Sequence, residues 1–320
     1  MRGLFFCKLT FLTMTKHITK ITDLKAAEII HLLDDAYKMQ EQFELTNYVP
    51  QHFKGKTLAM IFEKPSLRTR VAFEVAANTM GGSAIYLSSS DVLSSGINIK
   101  GRESIPDIAR NLEGFTDAVL ARVYKHETVE ALSKWSKIPV INGLCDLHHP
   151  TQTLADLYTI KGLFGGLSSD IKIAYVGDGC NTVNSLLMAC DLLGMKISVA
   201  TPKGYGISPE IMKQVKNGNV ELMNDPKKAV SNADVIYTDT WISMGMENEY
   251  EERLNDFNGF QVNQELLSYA KPSVYVMHCL PAHRGEEITD EVIDGEHSIV
   301  FKQASARLPI ARALLNFLFN

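Results

Sequence analysis

The stretch TLAMIFEKPSLRTRVAFEVAANTM, residues 57–80 of the 320-residue chain, decides the fold class. Its first six residues, Thr57–Phe62, form a short apolar run that is typical of a buried strand. Residues 71–80 have apolar side chains at helical spacing, and the pair Gly81 and Gly82 then ends the helix. A buried strand that leads through a short polar loop into a helix is the basic unit of α/β proteins.

The same alternation continues on both sides of this stretch. The first group of elements has a helix at residues 23–42 and further strands at residues 84–87, Ala118–Arg122 and residues 139–142. A second group follows residue 150, with strands at Lys172–Val176, Lys196–Ala200, residues 219–222, Val235–Thr238 and residues 274–278. The pattern predicts an α/β fold with two doubly wound parallel-sheet domains and an active-site cleft between them. Ligands of such sheets bind beyond the carboxyl ends of the strands, so the loops there are the candidates for chemistry.

Composition and charge narrow the class of protein. Hydrophobic residues make up 45% and charged residues 22%, which is ordinary for a globular protein. The formal charge of −5 gives no indication of a nucleic-acid or anionic-membrane partner. The five cysteines are odd in number and include no Cys-x-x-Cys pair, so we expect a reducing, cytoplasmic compartment rather than a disulfide framework.

The first fourteen residues, MRGLFFCKLTFLTM, resemble a weak signal peptide. Lys8 interrupts the apolar run, and no small-residue cleavage site follows it. We therefore expect an extension, or an upstream start with Met14 as the true first residue. No other run is long enough to span a membrane.

The loop EKPSLRTR, residues 63–70, has the composition of an anion site. Ser66 stands where a helix N-cap belongs, and backbone N–H groups at a helix start attract anions. Thr69 adds a hydroxyl, and Arg68 and Arg70 add guanidinium groups that suit phosphate oxygens. Positive charge at a helix N-terminus is unfavourable unless an anion offsets it, which favours binding over an exposed basic turn.

Two other features of the first half lie at strand ends. The loop CDLHHPTQ, residues 145–152, places His149 and Gln152 where a donor could face a developing oxyanion, although a surface His pair fits equally well. Arg122 ends a strand and, considered alone, is more typical of a surface charge than of an anion clamp.

The second half offers polar groups at three strand ends. VGDGCN, residues 176–181, is half of a dinucleotide fingerprint without its third glycine, and its Asn181 offers an amide at a helix start. DTWISMG, residues 239–245, places the carboxylate of Asp239 where an ammonium group would fit and suggests a mobile loop. HCLPAHRGEE, residues 278–287, carries Cys279, a possible thiolate that lacks a clear base–orienter set for nucleophilic catalysis. With no metal cluster or nucleotide loop evident, we expect neither a metal nor a cofactor, and group transfer between two small charged molecules is favoured.

These motifs together resemble the aspartate/ornithine carbamoyltransferase family along essentially the whole chain after Met14. The pattern S-x-R-T-R at residues 66–70 is typical of the whole family. HPTQ at residues 149–152, DTWISMG and HCLP at residues 278–281 are more specific and match the ornithine branch. The resemblance implies transfer of the carbamoyl group of carbamoyl phosphate to L-ornithine, a step of arginine metabolism. It also implies a homotrimer with active sites near the subunit interfaces.

The resemblance also assigns roles to residues. A carbamoyl phosphate-binding domain would occupy residues 1–150, with the helix at residues 303–320 packed back on it, and an ornithine-binding domain residues 151–302. Catalytic roles would fall to Arg122, His149, Cys279 and Asp239. Carbamoyl phosphate would be bound by Ser66, Leu67, Arg68, Thr69, Arg122, His149, Gln152, Cys279, Leu280 and Arg307. Ornithine would be bound by Asn181, Asp239, Ser243 and Met244.

The chain departs from the family pattern in two places. Leu67 replaces the usual Thr or Met, where only the backbone N–H is expected to matter. Residues 303–306 read Gln-Ala-Ser-Ala before Arg307 in place of the usual Glu-Asn-Arg. Three alternatives stay open on sequence alone, namely a carbamoyltransferase for another amine acceptor, a nicotinamide dehydrogenase built on residues 176–181, and a non-catalytic ligand-sensing homologue.

Overall fold

The computed structural model describes residues 15–88, 103–242 and 247–320. Its first unit is a parallel sheet with strand order β2-β1-β3-β4. The strands are β1 (Thr57–Phe62), β2 (Ser83–Ser88), β3 (Ala118–Arg122) and β4 (Val140–Leu144). The flanking helices are α1 (Ala26–Thr46), α2 (Leu67–Thr79), α3 (Ile105–Glu113) and α4 (His126–Trp135). Strands β1 and β3 are buried along nearly their whole length, which explains their continuous apolar runs.

The second unit is a parallel sheet with strand order β7-β6-β5-β8-β9. Its strands are β5 (Lys172–Val176), β6 (Lys196–Ala200), β7 (Val220–Met223), β8 (Val235–Thr238) and β9 (Tyr275–His278). The helices are α6 (Asn181–Leu193), α7 (Pro209–Met212), α8 (Pro226–Val230), α9 (Tyr250–Asp256), α10 (Gln264–Leu267) and α11 (Asp290–Ile293). The two parallel sheets confirm the predicted fold class.

Three helices join the two units. Helix α5 (Pro150–Phe164) begins with a proline in its first turn and ends at Gly165, which has a φ of 72°. Nearly all of α5 is buried, and its apolar side chains belong to a core that also contains strand residues of both sheets. Helices α12 (Val300–Ser305) and α13 (Arg307–Phe319) end the chain, and α13 packs against α1 and α2 of the first unit. The domain boundary between residues 150 and 151 remains a prediction.

Each sheet has one point where the chain reverses its direction of winding. In the first sheet this point lies between β1 and β3, and in the second it lies between β5 and β8. Crevices that bind ligands open beyond the carboxyl ends of strands at such switch points. The fold therefore brings residues 63–70 and Arg122 to one edge, and residues 177–181 and Asp239 to the other. Within the described ranges, every helix is too short or too polar to cross a lipid bilayer.

Candidate active site

A cavity of about 370 Å³ opens between the two units at these switch points. It brings together almost all of the predicted site residues that the structure describes. Those that line it are Ser66, Arg68, Thr69, Arg122, His149, Gln152, Asn181, Asp239, Cys279, Leu280 and Arg307. Leu67 does not line the cavity, because its side chain is 74% exposed on the outer face of α2. Ser243 and Met244 lie outside the described residues.

Three guanidinium groups form one wall of the cavity. Arg307 donates to Oε1 of Gln152, and its Nη2 lies 3.0 Å from Oγ1 of Thr69 and 3.2 Å from Oγ1 of Thr151. Arg68 crosses the cleft and donates to the carbonyl oxygen of Leu280. The predicted Arg307 is thus in place despite the unusual residues before it.

The three arginines are crowded, and the burial of Arg122 and Arg307 makes their charges costly in the free protein, whereas Arg68 is half-buried. Burial, followed by the charge of Arg68, lowers the pKa of Arg122 to about 10. Burial, followed by the charge of Arg122, lowers the pKa of Arg307 to about 10. The buried Nε–H of Arg122 has no hydrogen-bond partner among the described residues. A bound dianion would offset these charges and supply the missing acceptor.

Helix α2 starts at Leu67, earlier than the predicted residue 71, so Ser66 is its N-cap. The Ser66 side chain makes no capping hydrogen bond, and the residue lines the cavity. The prediction that Arg70 also contributes to the anion site is wrong. Positions two apart on a helix point to nearly opposite sides. Arg70 accordingly lies over the ring of Tyr86, 4.0 Å from its centroid, and pairs with Glu74.

His149 is a neutral donor at the cavity. Burial, and then the charges of the neighbouring arginines, hold the pKa of His149 well below its ordinary value. Its Nδ1 lies 3.5 Å from Oγ1 of Thr151, whose own lone pair accepts from Arg307. Where the Thr151 hydroxyl donates to Nδ1, the proton of the neutral imidazole lies on Nε2, and in the other tautomer Nδ1–H donates to Oγ1.

Asp239 and Cys279 belong to the opposite wall, and a second thiol, Cys180, lies behind it. The Cys279 thiol donates to Oδ1 of Asp239 at 2.8 Å, and the Cys180 thiol donates to Oδ2 at 3.5 Å. Asp239 is 8% exposed, and in the described part of the chain no lysine, arginine or histidine forms an ion pair with it. Asn181, at the start of α6, donates from its amide to the carbonyl oxygen of Cys145 across the cleft. This wall suits a ligand that carries an ammonium group.

Cys279 is a thiol rather than a thiolate. Burial, and then the charge and hydrogen bond of Asp239, raise the pKa of Cys279 well above its ordinary value. Burial and the hydrogen bond to Asp239 therefore disfavour the thiolate that the nearby basic residues suggested. A neutral thiol that donates to a carboxylate serves to orient that carboxylate, not to attack a substrate.

The half-fingerprint at residues 176–181 has a packing role. The Gly179 N–H donates to the Tyr205 carbonyl oxygen, and a Cβ at Gly179 would lie 2.6 Å from the carbonyl oxygen of Gly206. The glycine thus allows the loop at residues 205–206 to cover this helix start. A pyrophosphate needs that same space, so the geometry disfavours a nucleotide site.

The loop after β9 is held by a buried His–Glu pair. Nδ1 of His278 accepts from the Leu280 N–H at 2.8 Å, and Nε2 lies 3.0 Å from Oε1 of Glu287. Both side chains are fully buried. Leu280 has a φ of 59° and precedes a cis peptide bond to Pro281. This arrangement directs the Leu280 carbonyl toward Arg68.

Two groups of possible metal ligands occur in the described residues, Asp239 with His278 and Cys279, and His283 with Glu286 and Glu287. Hydrogen bonds already engage several of their ligand atoms, while one carboxylate oxygen each of Glu286 and Glu287 is buried without a hydrogen-bond partner within the ranges that the structure describes. Each ring nitrogen of His278 is engaged, and Oε1 of Glu287 accepts from His278 and from the His283 N–H.

Several cavity residues were not predicted from the sequence. Lys64 and His283 belong to the motifs at residues 63–70 and 278–287. Their proximity in sequence to Ser66 and Cys279 could therefore have indicated that they line the cavity. Leu144, Thr182 and Thr240 each lie next to a predicted strand end or helix start. Nothing in the sequence indicated Tyr250, which reaches the cavity from α9. The remaining lining residues are Ile242 and Pro281.

Comparison with known proteins agrees with this geometry. Residues 16–162 match the profile of the aspartate/ornithine carbamoyltransferase carbamoyl-P binding domain, and residues 169–318 match that of the Asp/Orn binding domain. An ornithine carbamoyltransferase of Archaeoglobus fulgidus is 47% identical over 302 residues, which cover 94% of this chain and 96% of that protein. The chain belongs to the aspartate/ornithine carbamoyltransferase family.

Other members of this family show the same similarity. The ornithine carbamoyltransferase of Bacillus subtilis is 46% identical over 306 residues, 94% of this chain and 92% of that protein. The solved structure of the enzyme from Pyrococcus furiosus has a TM-score of 0.89 at 46% identity and covers 95% of this chain and 97% of its own. The structure from Thermus thermophilus has a TM-score of 0.85 at 46% identity and covers 96% and 100%. The carbamoyltransferase fold thus extends over the whole described chain.

Proposed function

We propose that this chain transfers the carbamoyl group of carbamoyl phosphate to the δ-amine of L-ornithine, which gives L-citrulline and phosphate. The observation that carries the proposal is a single cavity with three guanidiniums on one wall and the Asp239–Cys279 pair on the other. The names of relatives that are about 47% identical over nearly the whole chain support ornithine as the acceptor.

The anion wall would bind carbamoyl phosphate. Its phosphate would accept from the N-terminus of α2, including the backbone N–H of Leu67, and from the hydroxyls of Ser66 and Thr69. Arg68, Arg122 and Arg307 would neutralise the phosphate charge. The carbamoyl end would contact His149, Gln152, Cys279 and the backbone of Leu280. The unpartnered Nε–H of Arg122 supports this arrangement, since it needs an acceptor.

The opposite wall would bind ornithine. Asp239, which lacks a cationic partner among the described residues, would accept from an ammonium group, and Asn181 would supply an amide. Ser243 and Met244 complete the proposed set on the evidence of the family resemblance alone. The neutral Cys279 would hold Asp239 in position and lie near the reacting amine.

The reaction requires the neutral δ-amine, whose pKa in solution is near that of lysine, about 10.4. The amine attacks the carbamoyl carbon and its electron pair forms the new C–N bond. The carbonyl π electrons move to oxygen, where Arg122 and His149 stabilise the oxyanion. The oxyanion then collapses, the bond from carbon to the bridging oxygen breaks, and phosphate leaves. The amine proton passes to an oxygen of that phosphate, so no covalent enzyme intermediate is needed.

The charge of Asp239 bears on the choice of acceptor. An amino acid with a second carboxylate, such as aspartate, would bring a negative side chain next to Asp239 and the acidic wall. A diamine such as ornithine brings a positive or neutral group to the same place. The geometry therefore favours ornithine over aspartate, although both appear in the family name.

Citrulline formation tests the proposal. Purified protein should convert carbamoyl phosphate and ornithine to citrulline, and Arg68→Ala should weaken carbamoyl phosphate binding far more than ornithine binding. Arg70→Ala is the matched control, because Arg70 faces away from the cavity. Equal weakening of both ligands by Arg68→Ala would contradict the assigned role. Carbamoyl transfer to N-acetylornithine, putrescine or aspartate in preference to ornithine would contradict the acceptor, and ligand binding without turnover would indicate a sensing homologue.

We also propose that the protein is a cytoplasmic homotrimer that works in the biosynthetic direction. The described cysteines are all free thiols, which suits a reducing compartment.

Apolar side chains are exposed on α2 and on edge strand β2, notably Leu67, Val71 and Ile85, and they would be covered by self-association. A particle mass of three chains in multi-angle light scattering would agree with the trimer, and a monomer at working concentration would contradict it. Relatives from Pyrococcus furiosus and Campylobacter jejuni are named anabolic.

A further inference from the structure

Asp156, on α5, is a fully buried carboxylate behind the cavity wall. Three side chains donate to it. The amide Nε2 of Gln152 lies 2.9 Å from Oδ1, the amide Nε2 of Gln303 lies 2.7 Å from Oδ1, and the Tyr237 hydroxyl lies 3.0 Å from Oδ2. All three donors are themselves buried. Asp156 does not line the cavity, so it has no place in the reaction described above.

This carboxylate fixes the orientation of the Gln152 amide. A glutamine amide has a donor side and an acceptor side, and an ionised carboxylate can only accept. The amide nitrogen of Gln152 must therefore face Asp156, which directs Oε1 to the opposite side, where it accepts from Arg307. A turned amide would bring two oxygens together at Asp156 and two donors together at Arg307.

The same carboxylate fixes a second amide toward the other half of the site. Nε2 of Gln303 donates to Asp156, and its Oε1 accepts from the backbone N–H of His278 at 2.9 Å. His278 ends β9 and directly precedes Cys279. The carboxylate of Asp156 thus orients two amides. The Gln152 amide holds Arg307, and the Gln303 amide holds the end of β9 beside Cys279.

We propose that Asp156 is a positioning residue that orients Gln152, and through it Arg307, toward carbamoyl phosphate. The inference rests on the proposed function, because it assumes that Arg307 and Gln152 bind this substrate. The role depends on the hydrogen-bond acceptor rather than on the negative charge. An asparagine can accept both glutamine amides through Oδ1 while its Nδ2 donates to the Tyr237 hydroxyl, which is able to accept.

The experiment compares Asp156→Asn, Asp156→Ala and the control Tyr237→Phe in steady-state citrulline formation at pH 8. Asp156→Ala should raise the KM for carbamoyl phosphate about 10- to 100-fold, as expected when buried donors lose their acceptor, and leave the KM for ornithine within about threefold. Asp156→Asn should keep both KM values within about threefold. Tyr237→Phe removes a hydrogen bond to the same carboxylate but leaves Gln152 held, so it should lower the melting temperature without changing either KM.

A charge-based rescue tests the same contact if Asp156→Ala does not fold. Gln152→Glu places a second carboxylate against Asp156 and should raise the KM for carbamoyl phosphate. Adding Asp156→Asn should then lower that KM about tenfold, because it removes one of the two facing carboxylates while Oδ1 still accepts from Gln303. The proposal would be overturned by any of three results. These are the absence of this rescue, a KM for carbamoyl phosphate that Asp156→Ala leaves unchanged, and a tenfold rise in that KM caused by Asp156→Asn alone.

A binding measurement separates this inference from the proposed function. Calorimetric titration with a phosphonate analogue of carbamoyl phosphate, in which a methylene replaces the bridging oxygen, requires no acceptor and no turnover. If the wild-type chain binds the analogue but forms no citrulline, the proposed function fails while the effect of Asp156→Ala on the dissociation constant still tests the positioning role. An equal dissociation constant for wild type and Asp156→Ala would refute that role.

Discussion

Replacement of Arg122 by methionine should separate stability from function. Burial and Arg68 depress the pKa of Arg122 to about 10. A lowered pKa of a base means that folding disfavours the charged form, so the charge destabilises the fold at neutral pH. At 1.36 kcal/mol per pKa unit, the depression from the ordinary arginine value corresponds to about 3 kcal/mol. Methionine keeps much of the side-chain volume without the charge.

Without ligand, the free energy of unfolding of Arg122→Met should therefore exceed that of the wild type by roughly 1–3 kcal/mol. At about 2–4 °C per kcal/mol, that is a rise in melting temperature of roughly 2–12 °C. A bound phosphonate analogue should reverse this order of stability. Wild-type protein at 100 times the dissociation constant of a phosphonate analogue should gain about 2.7 kcal/mol, whereas the variant should gain little. Loss of one oxyanion donor should also lower kcat about 10²- to 10³-fold.

Differential scanning calorimetry with and without the analogue measures both effects. Arg70→Met is the matched control. It also removes an arginine of this loop, but Arg70 contacts the ring of Tyr86 and does not line the cavity. It should keep the full ligand-induced stabilisation. A free Arg122→Met protein that melts several degrees below the wild type, yet still responds to the analogue, would refute the argument that the cavity is a strained anion site.

Three further predictions concern other parts of the site. Asp239→Asn should raise the KM for ornithine about tenfold or more and leave that for carbamoyl phosphate within about threefold, because it removes the charge that faces an ammonium group; an unchanged ornithine KM would refute the role. Cys279→Ala should lower kcat about 10- to 100-fold without abolishing turnover, since the thiol orients Asp239 and would contact the carbamoyl end but is not a nucleophile. A carbamoylated Cys279 in mass spectra during turnover would contradict this. Burial raises the pKa of Asp156 from 3.8 to about 6. The free energy of unfolding should therefore fall by up to about 3 kcal/mol as pH rises from 4 to 7. Denaturant titrations of Asp156→Asn should not show this fall.

The sequence was sufficient for the architecture because strand–helix alternation and strand-end loops determine a doubly wound fold. Arg68, His149 and Asp239 lie in the loops or helix starts that follow predicted strands, so their convergence follows from parallel topology. Arg122 shows the limit of this reasoning. Its position at a strand end was evident, but only the arrangement of the second unit over the end of β3 distinguishes a buried clamp from a surface charge.

Finer features depend on side-chain direction and on long-range contacts. The first turn of α2 separates Arg68 from Arg70, and the sequence did not fix where that turn begins. The carboxylate of Asp156 joins residues from α5, β8 and α12, and Gln303 lies 147 positions from Asp156 in the sequence. No local pattern indicates that Gln303 and Gln152 share one acceptor. The protonation of Cys279 was equally hidden, because it depends on a carboxylate 40 positions away.

Carbamoyl transfer to a panel of amines is the most direct test of the central claim. Purified protein would be incubated with carbamoyl phosphate and, separately, with ornithine, N-acetylornithine, putrescine and aspartate, and both the carbamoylated product and phosphate would be measured. The proposed cavity predicts equimolar citrulline and phosphate, with ornithine preferred by at least about a hundredfold in kcat/KM. Turnover of another acceptor in preference to ornithine, or phosphate release without carbamoylated product, would contradict the proposed function.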